Sequence, residues 1–137
     1  MTSLARILEQ IDGFTPGGEP ARVAQQLLDH AEQVLERWIE ARSAAPTLER
    51  REGFRLLALH RQGAQDAPSF NACRETCREI VYHYNLLTLP PQDDRVAQRE
   101  QMMAMLVRHL ALFVDGKMQV EQLGEFCCAS RPLRERA

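Results

Sequence analysis

A chain of 137 residues and 15.7 kDa is the size of one domain, long enough to bury roughly two-thirds of its unfolded surface around a single core. Hydrophobic residues at 45% and charged residues at 26% exclude disordered and fibrous compositions. A formal net charge of -2 supplies no bulk positive field, which argues against general nucleic-acid binding, and the bias of the cations towards arginine, with Lys117 the single lysine, points to no function by itself.

No segment alternates apolar and polar residues with β-branched enrichment, and Ala, Leu, Arg, Glu and Gln abound, so helices are expected throughout. The first is predicted from Ser3 to Asp12, capped by Thr2 or Ser3, with Leu4, Ile7, Leu8 and Ile11 on one stripe and Gly13 at its end. The Gly and Pro cluster from Phe14 to Pro20 reads as a loop. Pro20 then opens a second helix reaching Ser43, whose core face is Val23, Leu27, Leu28, Ala31, Val34, Leu35, Trp38 and Ile39.

Pro46 breaks the chain, and Thr47 is expected to cap a third helix that ends at Gln62 before Gly63. A fourth is predicted from Ser69, as N-cap, to Thr88 before Pro90 and Pro91. The fifth starts at Asp93 or Asp94 and runs to Val114, with Asp115 and Gly116 marking its end. A sixth is predicted from Gln119 to Ala129, followed by a frayed basic tail over 131–137. The expected architecture is all-α, a single-domain bundle of five to six helices over 1–130, packed around the second, fourth and fifth.

The segment from Met1 to Arg6 has no basic run leading into an apolar one, so secretion is not expected. No stretch nears the roughly 20 apolar residues that span a bilayer. The longest apolar run, Met102 to Val114, is interrupted by Arg108 and His109. A cytoplasmic, reducing location and no membrane contact follow as expectations, and Cys73, Cys77, Cys127 and Cys128 are read as thiols rather than disulfides.

Cys73, Cys77 and His83 fall within about three helical turns, the one stretch where thiols, an imidazole and the carboxylate of Glu79 gather. As metal or redox ligands, Cys73 and Cys77 share a face, with Cys127 and Cys128 able to join only if the sixth helix folds back. The same spacing runs Phe70, Cys73, Cys77, Ile80, Tyr84 and Leu87, which makes both thiols core-facing, and this structural role is the preferred reading. Glu79 and His83 at i,i+4 suit a general base, yet a surface pair worth a few tenths of a kcal/mol is the preferred reading. No nucleophile, glycine-rich phosphate loop or metal motif accompanies them, so the reading leans away from an enzyme and implies no cofactor. Arg50, Arg51 and Arg55 on the third predicted helix, and Arg74 and Arg78 on the fourth, are interleaved with Glu49, Glu52, Glu75 and Glu79, and read as solvated salt-linked faces.

The fifth predicted helix departs most from an ordinary amphipathic pattern. Met103, Leu106, Val107, Leu110, Phe113 and Val114 make one stripe, and Met102, Met105, His109 and Leu112 make a second beside it. A helix apolar over so wide an arc is either central in its own bundle or shares its second stripe with another surface. The expected function is therefore a non-enzymatic binding or regulatory module that self-associates as a homodimer or takes a protein partner, with Met102, Met105, His109 and Leu112 as interface candidates. The alternatives are a metal or thiol-redox protein using Cys73, Cys77 and His83, or a small-ligand pocket.

Overall fold

The computed structural model describes residues 2–89 and 94–121, which are all-helical: five α-helices and one 3₁₀ segment, with no strand among them. Helix α1 spans Leu4–Asp12 and α2 Pro20–Ala41; α3 spans Arg55–Gly63; a 3₁₀ segment over Pro68–Cys73 leads into α4, Arg74–Thr88; and α5 runs Val96–Val120. The beginnings of the first two follow the expected chemistry. The Ser3 hydroxyl accepts from the Arg6 N–H at 3.2 Å, and the Glu19 carboxylate caps α2 by accepting from Ala21 and Arg22, with Pro20 in the first turn.

Three boundaries differ from expectation. Residues 47–54 are not helical, because Gln62 captures the main chain there: its Oε1 accepts the Thr47 N–H at 2.8 Å and its Nε2 donates to the Ala45 carbonyl at 2.7 Å. The segment then closes on a tight turn in which Arg51 and Phe54 exchange both main-chain bonds at 2.9 Å. Its two central residues, Glu52 and Gly53, both have positive φ, 53° and 86°, as such hairpin turns require. Ser69 is not the cap of a continuous fourth helix either. It lies inside the 3₁₀ segment, where its Oγ accepts from Lys117 Nζ at 2.6 Å.

The fifth predicted helix does not stop at Asp115 and Gly116 but continues through the start of the sixth. Gly116 faces open space, while the turn beyond it is anchored by buried Met118 and by Lys117, which also pairs with Glu121 at 3.3 Å. These contacts outweigh the roughly 1 kcal/mol that a helical glycine costs. The remainder of the sixth predicted helix, Cys127, Cys128 and the tail over 131–137 lie outside the described residues.

Helix α2 packs against the other four α-helices, and α2, α4 and α5 all touch one another. At their junction Trp38 of α2 stacks on Phe70 with ring centroids 4.7 Å apart and planes within 8°. Phe70 in turn meets Phe113 of α5 at 5.6 Å. The fully buried indole of Trp38 donates its N–H to the Gly63 carbonyl at 2.9 Å, so α3 ends against the stack. A second polar tie joins the Gly-rich loop to α5: Glu100, fully buried, accepts the Gly17 N–H at 2.9 Å through Oε1.

Gly63 is required by closeness rather than by φ. An added Cβ would stand 2.9 Å from Trp38 Cδ1 and 3.1 Å from Phe70 Cε2. Gly63→Ala is therefore expected to destabilise the protein by about 1–3 kcal/mol through overpacking. Gly116→Ala, inside a helix with nothing within 4 Å, is expected to stabilise it by up to about 1 kcal/mol. Urea denaturation of both variants checks the opposed signs, and equal effects would contradict this account of the core.

Candidate functional site

Cys73 stands where the 3₁₀ segment passes into α4, and Cys77 follows one turn later; both are free thiols in the core. The sequence grouped them with His83, but the imidazole beside them is His60 from α3. His60 is nearly buried, its ring lies 5.6 Å from Phe70, and its Nε2 is 3.3 Å from the Phe70 carbonyl. Since a carbonyl only accepts, that contact requires Nε2–H. The Cys73 thiol donates to the same oxygen at 3.2 Å, so one main-chain carbonyl gathers two buried side chains.

His83 turns elsewhere. Its Nδ1–H donates to the Glu79 carbonyl at 2.9 Å along α4. The expected Glu79–His83 pair is thus an imidazole on a main-chain oxygen, which does not make the carboxylate–imidazole arrangement of a general base. Among the described residues no group of three His, Cys, Asp or Glu side chains is disposed to hold a metal ion. The sequence signal that could have found His60 is its position on the buried face of α3 with Leu56, Leu59 and Gly63.

The two thiols are neighbours that shift one another in opposite directions. Hydrogen bonding from Cys77 and then from His60, together with the His60 charge, brings Cys73 down to about 6 against the opposing effect of burial. Cys77 is pushed up by its bond to Cys73 and by burial. Ionisation of Cys73 gives up the S–H bond to Phe70 but leaves the sulfur at the N-terminal end of α4, where a helix stabilises an anion. The arrangement can hold a single buried thiolate, screened from solvent by the core.

The second candidate region is the outer face of α5. Met103, Val107, Leu110 and Val114 are fully buried against the other helices. Met102, Met105 and Leu112 are 45%, 64% and 44% exposed, and His109 between them is also exposed. Their steps of three, four and three residues form a straight seam along the helix. Beside Met105 the seam opens into a groove of about 310 Å³ bounded by Ile11, Phe14 and Pro16 from α1 and the loop after it. No helix among the described residues is long and apolar enough to cross a membrane.

Comparison of the chain with protein-family models, curated proteins and solved structures gives no match.

The lowered Cys73 group fixes the sign of a pH effect. It contributes stability in full above the unfolded thiol value near 8.5, and that contribution is lost as pH falls through about 6; the raised Cys77 group removes stability at higher pH. The stability gap between the wild type and Cys73→Ala is expected to widen as pH rises from about 6 to about 8.5. Thiolate ultraviolet absorbance should rise with a step near pH 6 that Cys73→Ala lacks. A wild type with no thiolate below pH 8 would contradict the assignment.

Proposed function

We propose that the chain is a single cytoplasmic helical domain, non-enzymatic, that acts as a binding or regulatory module by pairing with a second copy of itself through α5. The observation that carries this reading is the exposed seam of Met102, Met105 and Leu112 with His109 among them. Three large apolar side chains at heptad spacing are the pattern with which helices pair in water, and methionine adapts to the irregular surface of a partner.

Self-pairing is favoured by the arrangement of the seam itself. Met102 and Leu112, and Met105 and His109, are symmetric about position 107. An antiparallel two-fold pair therefore sets Met102 of one copy against Leu112 of the other and Met105 against His109, as an isologous interface demands. The groove beside Met105 extends the apolar surface onto α1. Arg108, ion-paired to Asp12 at 2.8 Å, flanks it as a polar rim. A seam of four residues with one groove is small beside an interface of about 1,600 Å², so the dimer is a reversible one. The buried thiols and His60 belong to the core in this reading.

Analytical ultracentrifugation over a concentration series checks it. The wild type is expected to pass from monomer to dimer, and Met105→Glu and Leu112→Glu, which put a charge into the seam, are expected to remain monomeric while keeping the thermal midpoint of the dilute, monomeric wild type. A wild type that stays monomeric throughout, or variants that dimerise as it does, would overturn the proposal.

A further inference from the structure

The two arginine groups that the sequence reads as separate solvated faces do not stay separate. Arg55 leaves its group to pair with Glu36 at 2.7 Å and Glu32 at 3.6 Å on α2. Arg51, from the tight turn, instead meets Arg61 of α3 and Arg74 and Arg78 of α4 around one cleft of about 390 Å³. Gln65 and Asn71 add neutral polar groups to its wall, and His60 stands at its inner side. Four exposed arginines from three segments thus line one cleft in a chain whose net charge is -2.

Among the described residues, only one of the four has a carboxylate at ion-pair distance. Arg78 forks onto Glu52, with Nη1 to Oε2 at 3.1 Å and Nη2 to Oε1 at 3.3 Å. Among the described residues, Arg51, Arg61 and Arg74 have no such partner within 4 Å. Glu52 feels the others too: its carboxyl is held below the ordinary range first by the hydrogen bond and charge of Arg78, then by the charges of Arg51 and Arg74. Glu75 acts on Arg78 at longer range without lining the cleft. That carboxylate is carried on Glu52, one of the two positive-φ residues of the tight turn, so it is presented to Arg78 by a constrained backbone. It engages Arg78 from outside the cleft's lining and leaves the charges of Arg51, Arg61 and Arg74 without a carboxylate at ion-pair distance among the described residues.

We propose that this cleft binds a small phosphate ester or diphosphate, with Arg51, Arg61 and Arg74 as its ligands and Glu52 as an internal competitor on Arg78. The volume is at the lower end of the roughly 300–1,000 Å³ of small-ligand pockets. A carboxylate offers two oxygens in one plane, whereas a phosphate presents its oxygens in several directions, so guanidiniums arriving from separate segments can each take an edge. Polar walls with Leu57 as a buried apolar neighbour suit the polar end of such a molecule more than an apolar body. The cleft shares no residue with the α5 seam, and anion binding there is independent of dimer formation.

Isothermal titration of the full-length protein with inorganic pyrophosphate, in low-salt buffer free of other multivalent anions, tests the proposal. One pyrophosphate per chain is expected, bound more weakly as salt is added. Arg61→Gln and Arg74→Gln are each expected to weaken binding by about tenfold or more, as loss of a charge-assisted bond does. Glu52→Gln is expected to strengthen it several-fold, a gain that misfolding cannot mimic. Arg22→Gln, outside the cleft, is the control and should leave affinity unchanged. No binding by the wild type, equal binding by the Arg61 and Arg74 variants, or weaker binding by Glu52→Gln would overturn the proposal. Tighter binding of a hexaglutamate peptide than of pyrophosphate would overturn it as well, making the cleft a docking surface for acidic chains.

Discussion

The fold depends on how the indole of Trp38 is buried. A fully enclosed indole N–H must find an acceptor, since leaving it unpaired costs about 1–3 kcal/mol, and it finds the Gly63 carbonyl. That bond brings the end of α3 so close to the ring that no Cβ fits at position 63. Phe70 then lies flat on the other aromatic surface, which fixes the short 3₁₀ segment, and Phe113 brings α5 to the same place. Arg42 and Lys117 approach the indole at 5.0 and 5.9 Å, so the ring's electron density is also used by cations at the margin of the core. One side chain thereby ties together α2, α3, the 3₁₀ segment and α5.

The thiol cluster is a consequence of that arrangement. Once Phe70 is held against Trp38, its carbonyl points where His60 and Cys73 can both donate to it. Burial by itself would keep both thiols neutral; a neighbouring S–H and an imidazole make one of them easier to ionise than the other. The same position of His60 sets it between the core and the arginine-lined cleft, so a polar link runs from the buried sulfurs to the surface through one ring.

Much of the helical framework was legible in the residues. Capping at Ser3, Pro20 in a first turn, and the stripes of α1 and α2 are local features, and each appears where its local chemistry requires. The misreadings share one physical origin. Gln62 competes for the main chain near Thr47, Ser69 is used by Lys117 rather than by a helix terminus, and Met118 and Lys117 carry α5 past Gly116. In every case a partner distant in sequence outweighed a local preference of about 1 kcal/mol. Glu100 gave no sequence signal of any kind: an acidic residue on the inner face of α5 makes sense only once Gly17 is seen donating to it.

By itself the sequence determined that this protein is helical, which face of each long helix is apolar, and that Cys73 and Cys77 point inward, because these depend on the 3.6-residue period and on hydrophobicity alone. It also marked α5 as apolar over too wide an arc, but not which of its stripes is spent on the core. Only the tertiary structure decided that Met102, Met105 and Leu112 face outward, that His60 and not His83 meets the thiols, and that arginines from three segments share a cleft. Those outcomes depend on which helices lie side by side, and helix adjacency is set by the sum of many weak packing contacts rather than by the spacing of residues along any one of them.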